Sequence, residues 1–311
     1  MDMYQVRRAL HAGSWYEESG SKLDAVLTQN LSEVSDGLVT GPVRGLVGPH
    51  AGYAYSGPTA AYAYKSLTNA LRNQTDVDTI LVLHPSHHVY LDGCAISGAG
   101  SIETPLGNLQ IASKLRNELW ITKEFTVMDQ DTDEKEHSGE LHYPYIAKSL
   151  KDAGVFERIR VLPIMVGGIN TSKEEHFGTV LKELIARPNV ITIVSTDFCH
   201  WGKRFSYQST PDGGPSKTPI FEHISELDHV GMNHIEMQNP GAFAEYFRET
   251  KNTVCGRHPL AVWLHAISQN KESGFEKLDV KFIRYAQSSR VRSMHDSSVS
   301  YASAVATKSS N

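Results

Sequence analysis

Four short runs of apolar, mostly β-branched residues punctuate this chain, and three of them lead into histidines or acids. They are "VRGLVGPHA" (43–51), "DTILVLHPS" (78–86), "RIRVLPIMVG" (158–167) and "NVITIVSTD" (189–197). A strand with one wet face alternates apolar and polar residues, whereas a strand covered on both faces reads as a continuous apolar run. Helical spacing fills the intervals, over 57–71 and over 173–186. Pro58 falls near the start of the first of these, where a missing N–H costs little. Buried strands alternating with helices predict an α/β protein: a central, largely buried sheet covered by helices. Further along, 258–268 reads as a helix opened by proline, 277–289 as a late strand, and 299–306 as either a strand or a helix. The Gly/Pro/Ser-rich stretch 209–219 reads as a loop, and the terminal "TKSSN" as frayed chain. No internal repeat and no linker divides the 311 residues, so 1–311 is expected to form one domain.

The ends of the runs carry the chemistry. In open α/β sheets, ligands bind outside the carboxyl ends of the strands. The first run stops at Pro49-His50, the second enters "HPSHH" with His84, His87 and His88, and the last enters "STDFCHW" with Asp197, Cys199 and His200. A lone histidine at a strand tip is more often a hydrogen-bonded structural residue. Three tips delivering such residues to one edge point to a site. Glycine after His50 lets the backbone turn tightly, and the tyrosines that follow can wall a pocket. His87 and His88 are neighbours and point apart, so at most one of them faces the site. His84 lies inside its strand and reads as a core histidine. "EHSGELH" (136–142) contributes Glu136, His137, Glu140 and His142, a ligand-like composition without the spacing of a metal motif. In "VCGRHP" (254–259), Cys255 precedes a glycine and Arg257, a setting that favours thiolate; the plainer reading is a small buried hydrophobe.

Bulk properties narrow the function classes. A net charge of −5 argues against a nucleic-acid partner, which calls for a basic face. No apolar run reaches membrane length, so no membrane insertion is expected. Three widely spaced cysteines make no disulfide framework, which suggests a reducing cytosol, with the nucleus as a second location and the asparagine sequons unused. Fifteen histidines direct attention to metals or acid–base chemistry.

Taken together, "GPHAGYAYSGPTAA", "PSHH", "STDFCHWG", "CGRHP" and "YAQSS" resemble the Memo family, and the likeness runs from "HAGSWY" (11–16) to "SSVSYA" (297–302). The resemblance implies the fold of class III extradiol dioxygenases, a single α/β domain with a non-haem metal site. It implies His50, His87 and Cys255 as the metal-contacting residues. It implies His200 as a further pocket histidine, with acid–base duty in the dioxygenase relatives, and Asp197 as a pocket carboxylate. Trp15, Tyr53 and Tyr55 are expected to wall the pocket, with Glu140 and His142 beside it. Gly139 stands where family members often carry an aliphatic residue. Two imidazoles and a thiolate suit copper(I) or zinc better than an oxygenase iron, while Asp197 offers iron an alternative oxygen ligand. Copper or iron is therefore the expected cofactor, with zinc as a third option. The family is associated with cell motility, with invasive or filamentous growth in fungi, with metal and redox biology, and with phosphotyrosine-peptide recognition in its animal members. Three readings follow: a metal-binding redox or signalling protein, an active iron dioxygenase opening a small aromatic diol, or a non-catalytic module that receives a peptide or signalling partner in the former active-site cleft.

Overall fold

A computed structural model describes residues 3–211, 218–272 and 276–309. Its strands are β1 (Tyr4–Arg7), β2 (Val43–Gly48), β3 (Thr79–Pro85), β4 (Cys94–Ser97), β5 (Ala99–Ile102), β6 (Leu109–Gln110), β7 (Phe125–Met128), β8 (Arg160–Val166), β9 (Val190–Ser195), β10 (His200–Trp201), β11 (Leu278–Gln287) and β12 (Ser298–Lys308). Its α-helices are α1 (Gly20–Ser32), α2 (Tyr53–Asn73), α3 (Ser113–Ile121), α4 (Gln130–Lys135), α5 (His137–Glu140), α6 (Tyr143–Asp152), α7 (Thr171–Ile185), α8 (Ile220–Glu236), α9 (Pro240–Thr250) and α10 (Arg257–Glu272).

The predicted α/β class is observed. A nine-stranded sheet runs β10-β12-β2-β9-β3-β8-β4-β7, with β11 on β12. Its centre, β2-β9-β3-β8, is parallel, so these four strands deliver their C-terminal ends to one edge. Gly48 stands opposite Ser195, and Leu83 opposite Val194, so the residues that follow β2, β9 and β3 emerge side by side. Every residue of β2, β3 and β9 is buried, which explains their unbroken apolar character. Each fully buried aliphatic side chain contributes roughly 1.5–3 kcal/mol relative to exposure.

Helix α2 packs on β2 and β12, while α7 and α10 pack on each other and on β9. The α7–α10 contact depends on Gly178, where a Cβ would lie 2.4 Å from His265 Cβ and 3.0 Å from the Val262 carbonyl. A smaller sheet, β1-β5-β6, tethers the N-terminus to the segment before α3.

Several boundaries differ from the sequence reading. Helix α2 begins at Tyr53 rather than at 57, so Pro58 lies inside it, where its missing N–H would have reached the Ala54 carbonyl. Residues 299–306 belong to a strand, β12, buried between β2 and β11. The terminal segment is not frayed from its first residue: Thr307 pairs with Val43 and Lys308 with Leu278. Residues 212–217 of the expected 209–219 loop lie outside the described residues.

Candidate metal centre

His50 sits two residues beyond β2, with 2% of its surface exposed. Its Nδ1 lies 2.7 Å from Ser195 Oγ, and that hydroxyl donates to the Ser138 carbonyl at 2.8 Å. With its own hydrogen committed, Ser195 accepts from His50, so Nδ1 carries the proton and Nε2 presents a lone pair. That Nε2 is 3.1 Å from Cys255 Sγ. Burial, then the neighbouring histidines, keep His50 neutral by pushing its pKa well below the usual imidazole value.

Cys255 reaches this position through Gly256. A Cβ there would lie 2.3 Å from the Ser195 carbonyl and 2.5 Å from Thr196 Cβ, so only glycine lets the loop close on the end of β9. The thiolate expectation is corrected for the metal-free protein: burial, and then the charge of Asp197, push the thiol well above its ordinary pKa. Arg257 does not counter this, because its guanidinium engages His258 and the Phe247 ring rather than the sulfur. Asp197 donates its backbone N–H to Cys255 Sγ at 3.2 Å and accepts the His50 N–H on Oδ1 at 2.9 Å. Burial raises the Asp197 carboxyl to about 7. Donor atoms of His50, Asp197 and Cys255 all lie within 4.8 Å of one another.

His87 stands across from His50, with ring centroids 5.3 Å apart. Glu136 takes both of its donors, the backbone N–H at 2.6 Å and Nδ1 at 2.9 Å. A carboxylate only accepts, so Nδ1 carries the hydrogen and Nε2 is left as a lone pair. Burial opposes ionisation of Glu136, but the hydrogen bond from His87 outweighs it and holds the carboxyl far below its usual range.

His137, from the first turn of α5, stacks on His87 at 4.6 Å and lies 5.4 Å from His50. Burial lowers it to about 3, with His87 as the next cause. Donor atoms of His50, His87 and His137 form a second group within 4.8 Å. His50 is thus shared by two triplets. The structure brings His50 beside His87 in one group and beside Cys255 in the other, does not place His87 and Cys255 in one group, and adds His137.

His200 holds its Nδ1 hydrogen toward two carbonyls, Phe198 at 2.9 Å and Thr253 at 3.0 Å, which leaves Nε2 as an acceptor. Burial lowers its pKa. The wall residues divide. Trp15 and Tyr55 are exposed, and Trp15 stacks on His137 at 4.4 Å. Three expected pocket residues are buried, and each has a polar atom held by an interior partner. Tyr53 is in the core, its hydroxyl donating to the Leu141 carbonyl at 2.8 Å. His142 is buried against the Tyr64 hydroxyl at 2.6 Å. Glu140 is buried among Arg7, His11 and Tyr16. His84 is a core histidine as read, with Nδ1 near the Pro85 carbonyl and Ser138 Oγ and with Nε2 lacking a hydrogen-bond partner. Gly139 fits against it: a Cβ would lie 2.7 Å from the Tyr143 hydroxyl and 3.1 Å from His84 Cδ2, so a larger side chain has no room here.

Sequence reasoning noticed Glu136 and His137 by composition but gave them no role. Extended backbone at Glu136 separates α4 from α5, and this break turns both side chains toward the strand tips. Ser195 was missed entirely; it reads as one more strand residue.

The donor set has the attributes of a metal site. Two imidazoles have Nδ1 fixed by a second partner and Nε2 free, and a cysteine sulfur lies within reach of one of them. A parallel α/β sheet bearing a His/Cys cluster at its carboxyl edge defines an α/β protein with a candidate metal cleft. The chain belongs to the Memo family: the family model described as Memo-like protein matches residues 7–305. It is 42% identical to Protein MEMO1 of Homo sapiens over 301 residues, covering 97% of each chain, and matches that of Rattus norvegicus equally. It is 40% identical to Protein memo-1 homolog of Caenorhabditis elegans over 300 residues, covering 96% of this chain and 82% of the relative. Among solved structures, uncharacterized protein JW3007 from Escherichia coli K12 aligns with a TM-score of 0.46 at 13% identity, covering 82% of this chain and 98% of that one.

Proposed function

We propose that this chain binds a single copper or iron ion in the cleft and serves a redox or signalling role of the kind the family resemblance associates with cell motility and invasive growth. The observation that carries the reading is the pairing of His50 Nε2 with Cys255 Sγ at 3.1 Å, beside a His87 whose tautomer Glu136 fixes. His50, His87 and Cys255 would hold the ion, with His137 and Asp197 as further donors on either side. When bound, the metal supplies electron transfer or Lewis acidity, and the soft sulfur favours copper(I) among the candidates. The chain's own residues do the rest. Ser195 and Glu136 orient the imidazoles, and burial keeps His50 and His137 neutral and ready to coordinate. His200, with Nε2 as an acceptor, is the proposed proton carrier; Asp197, raised to about 7, can hold or release a proton near neutral pH.

One domain over 1–311 is the proposed organisation, supported by a single hydrophobic cluster that runs from Tyr16 to Ala306. No helix among the described residues is long and apolar enough to cross a membrane. A cytosolic setting, with a peptide or signalling protein as partner, is part of the same proposal. The test is elemental analysis of protein purified without chelators, followed by anaerobic calorimetry with copper(I) and iron(II). Near-stoichiometric binding that collapses in His50→Ala is expected; undiminished binding by that variant would overturn the reading.

A further inference from the structure

Beside the metal cleft, a groove crosses the start of α10. It consists of two adjoining cavities of about 470 and 510 Å³ that share Lys251, Asn252, Arg257 and His258. The first is lined in part by Cys255, and the second is walled by Phe243 and Phe247. A fixed chain of side chains stands where they meet. Glu174, from the first turn of α7 and 7% exposed, accepts from His258 Nδ1 at 2.6 Å. His258 Nε2 in turn accepts from Arg257 Nε at 3.1 Å. The carboxylate dictates the imidazole tautomer, and the tautomer dictates where the guanidinium donates. The Phe247 ring, 5.9 Å from the guanidinium carbon, backs the same group.

The Glu174–His258 contact joins α7 to α10, and the same pair holds the exposed Arg257 guanidinium in one orientation. With Nε engaged, Arg257 presents its two terminal nitrogens end-on, a planar pair whose spacing matches the two oxygens of a carboxylate. Lys251 lies on the same groove, at the αL residue that ends α9, and supplies a second cation. We propose that this groove is a receptor for a small organic acid: Arg257 and Lys251 take its carboxylate, and Phe247 takes its apolar body, with the buried Phe243 ring behind it. Arg248 also lines the groove but pairs with Glu245; Arg257 and Lys251 together with the Glu174 carboxylate sum to one positive charge, which suits a monoanion. Neither cation is a metal donor, so the receptor stands independently of the metal reading, although Cys255 places a bound acid next to the cleft.

The test uses the full chain, both metal-free and loaded, with 3-phenylpropionate as the probe, its neutral amide as control and phenyl phosphate as a third arm, followed by calorimetry and amide NMR. The acid should bind about tenfold or more tighter than the amide, because only the acid offers a charge-assisted pair to the guanidinium. Arg257→Met should cost about tenfold for the acid and nothing for the amide, and Arg257→Lys should restore only part of the loss because a point charge cannot bind bidentately. Glu174→Gln should weaken the acid by about threefold by loosening the aim of the guanidinium. Metal affinity, titrated separately, should be unchanged in Arg257→Met, so failure of the acid receptor and failure of the metal site are told apart. Equal binding of acid and amide, or an Arg257→Met variant that binds the acid as the parent does, overturns the proposal. Tighter binding of phenyl phosphate than of the acid overturns its assignment to carboxylates.

Discussion

At the scale of single residues, the centre is a set of imidazoles whose protons are already assigned. Glu136 is the most exposed to test, because it accepts two hydrogens from His87 and has only acceptors to give. Glutamine keeps one acceptor and turns a donor toward the other hydrogen. Glu136→Gln should therefore lower metal affinity by roughly 10- to 100-fold, the usual effect of disturbing a ligand's supporting partner. Cys255→Ser should lower copper(I) affinity more than iron(II) affinity, since a hard hydroxyl replaces a soft sulfur; competition titrations under anaerobic conditions read both. His84→Ala gives the contrast. His84 is buried and bonded to the Pro85–Ser138 region, so its loss should reduce stability to urea while metal affinity changes by less than about threefold.

At the scale of elements, a buried ion cluster ties β1 to the segment that carries Glu136 and His137. Arg7, fully buried, pairs with Asp133 at 2.9 Å and Glu140 at 2.6 Å and also donates to the carbonyls of Asp133 and Glu136. Removing the cation strands two carboxylates in the interior. Arg7→Met should cost about 3–5 kcal/mol by urea unfolding, and in whatever fraction stays folded it should weaken metal binding by loosening the α4–α5 break. A second element-scale contact is the α7–α10 crossing at Gly178. A methyl group has no space there, so Gly178→Ala should cost about 1–3 kcal/mol as the helices part. The same shift would disturb the Glu174–His258 contact, which joins those two helices.

At the scale of the whole molecule, stability should respond to pH through opposing groups. Glu134 and Glu136 have depressed pKa values despite burial, through the hydrogen bonds of Arg8 and His87. Their contribution is present above the unfolded carboxylate pKa and is lost as pH falls through the folded value, so the protein should weaken in acid. Asp228 acts the other way. Burial raises it to about 6 from 3.8, although Ser300, Asn252 and Tyr285 donate to it. Its protonated form is favoured in the native state, so its contribution is full below about 3.8 and is lost as pH rises through about 6. Asp228→Asn removes this term. The variant's stability relative to the parent should improve by roughly 2 kcal/mol between pH 4 and pH 7, at about 1.4 kcal/mol per pKa unit. Thermal melts across that range measure it; a flat difference would show that Asp228 is ionised throughout.

The four apolar runs became β2, β3, β8 and β9 at nearly the predicted positions because a strand buried on both faces has no alternative to continuous apolar residues. The same logic placed His50 and Asp197 just past the tips of β2 and β9, since parallel strands must end together, whereas His200 opens the short β10 on β12. The short and polar elements were not legible: β1, β5 and β6 carry few residues, and α4 and α5 are stabilised by caps and by Arg7 rather than by periodicity. Tyr53, Glu140 and His142 looked like pocket residues because composition cannot distinguish a polar atom facing a cleft from one satisfied inside the core. What the sequence by itself determined was the sheet, its carboxyl edge and the residue types delivered there, because hydrophobic pattern is local. Only the tertiary structure decided which of fifteen histidines share a centre, which nitrogen of each is free, and that Gly256 brings Cys255 to His50. These depend on hydrogen bonds between residues far apart in the chain, which no local spacing encodes.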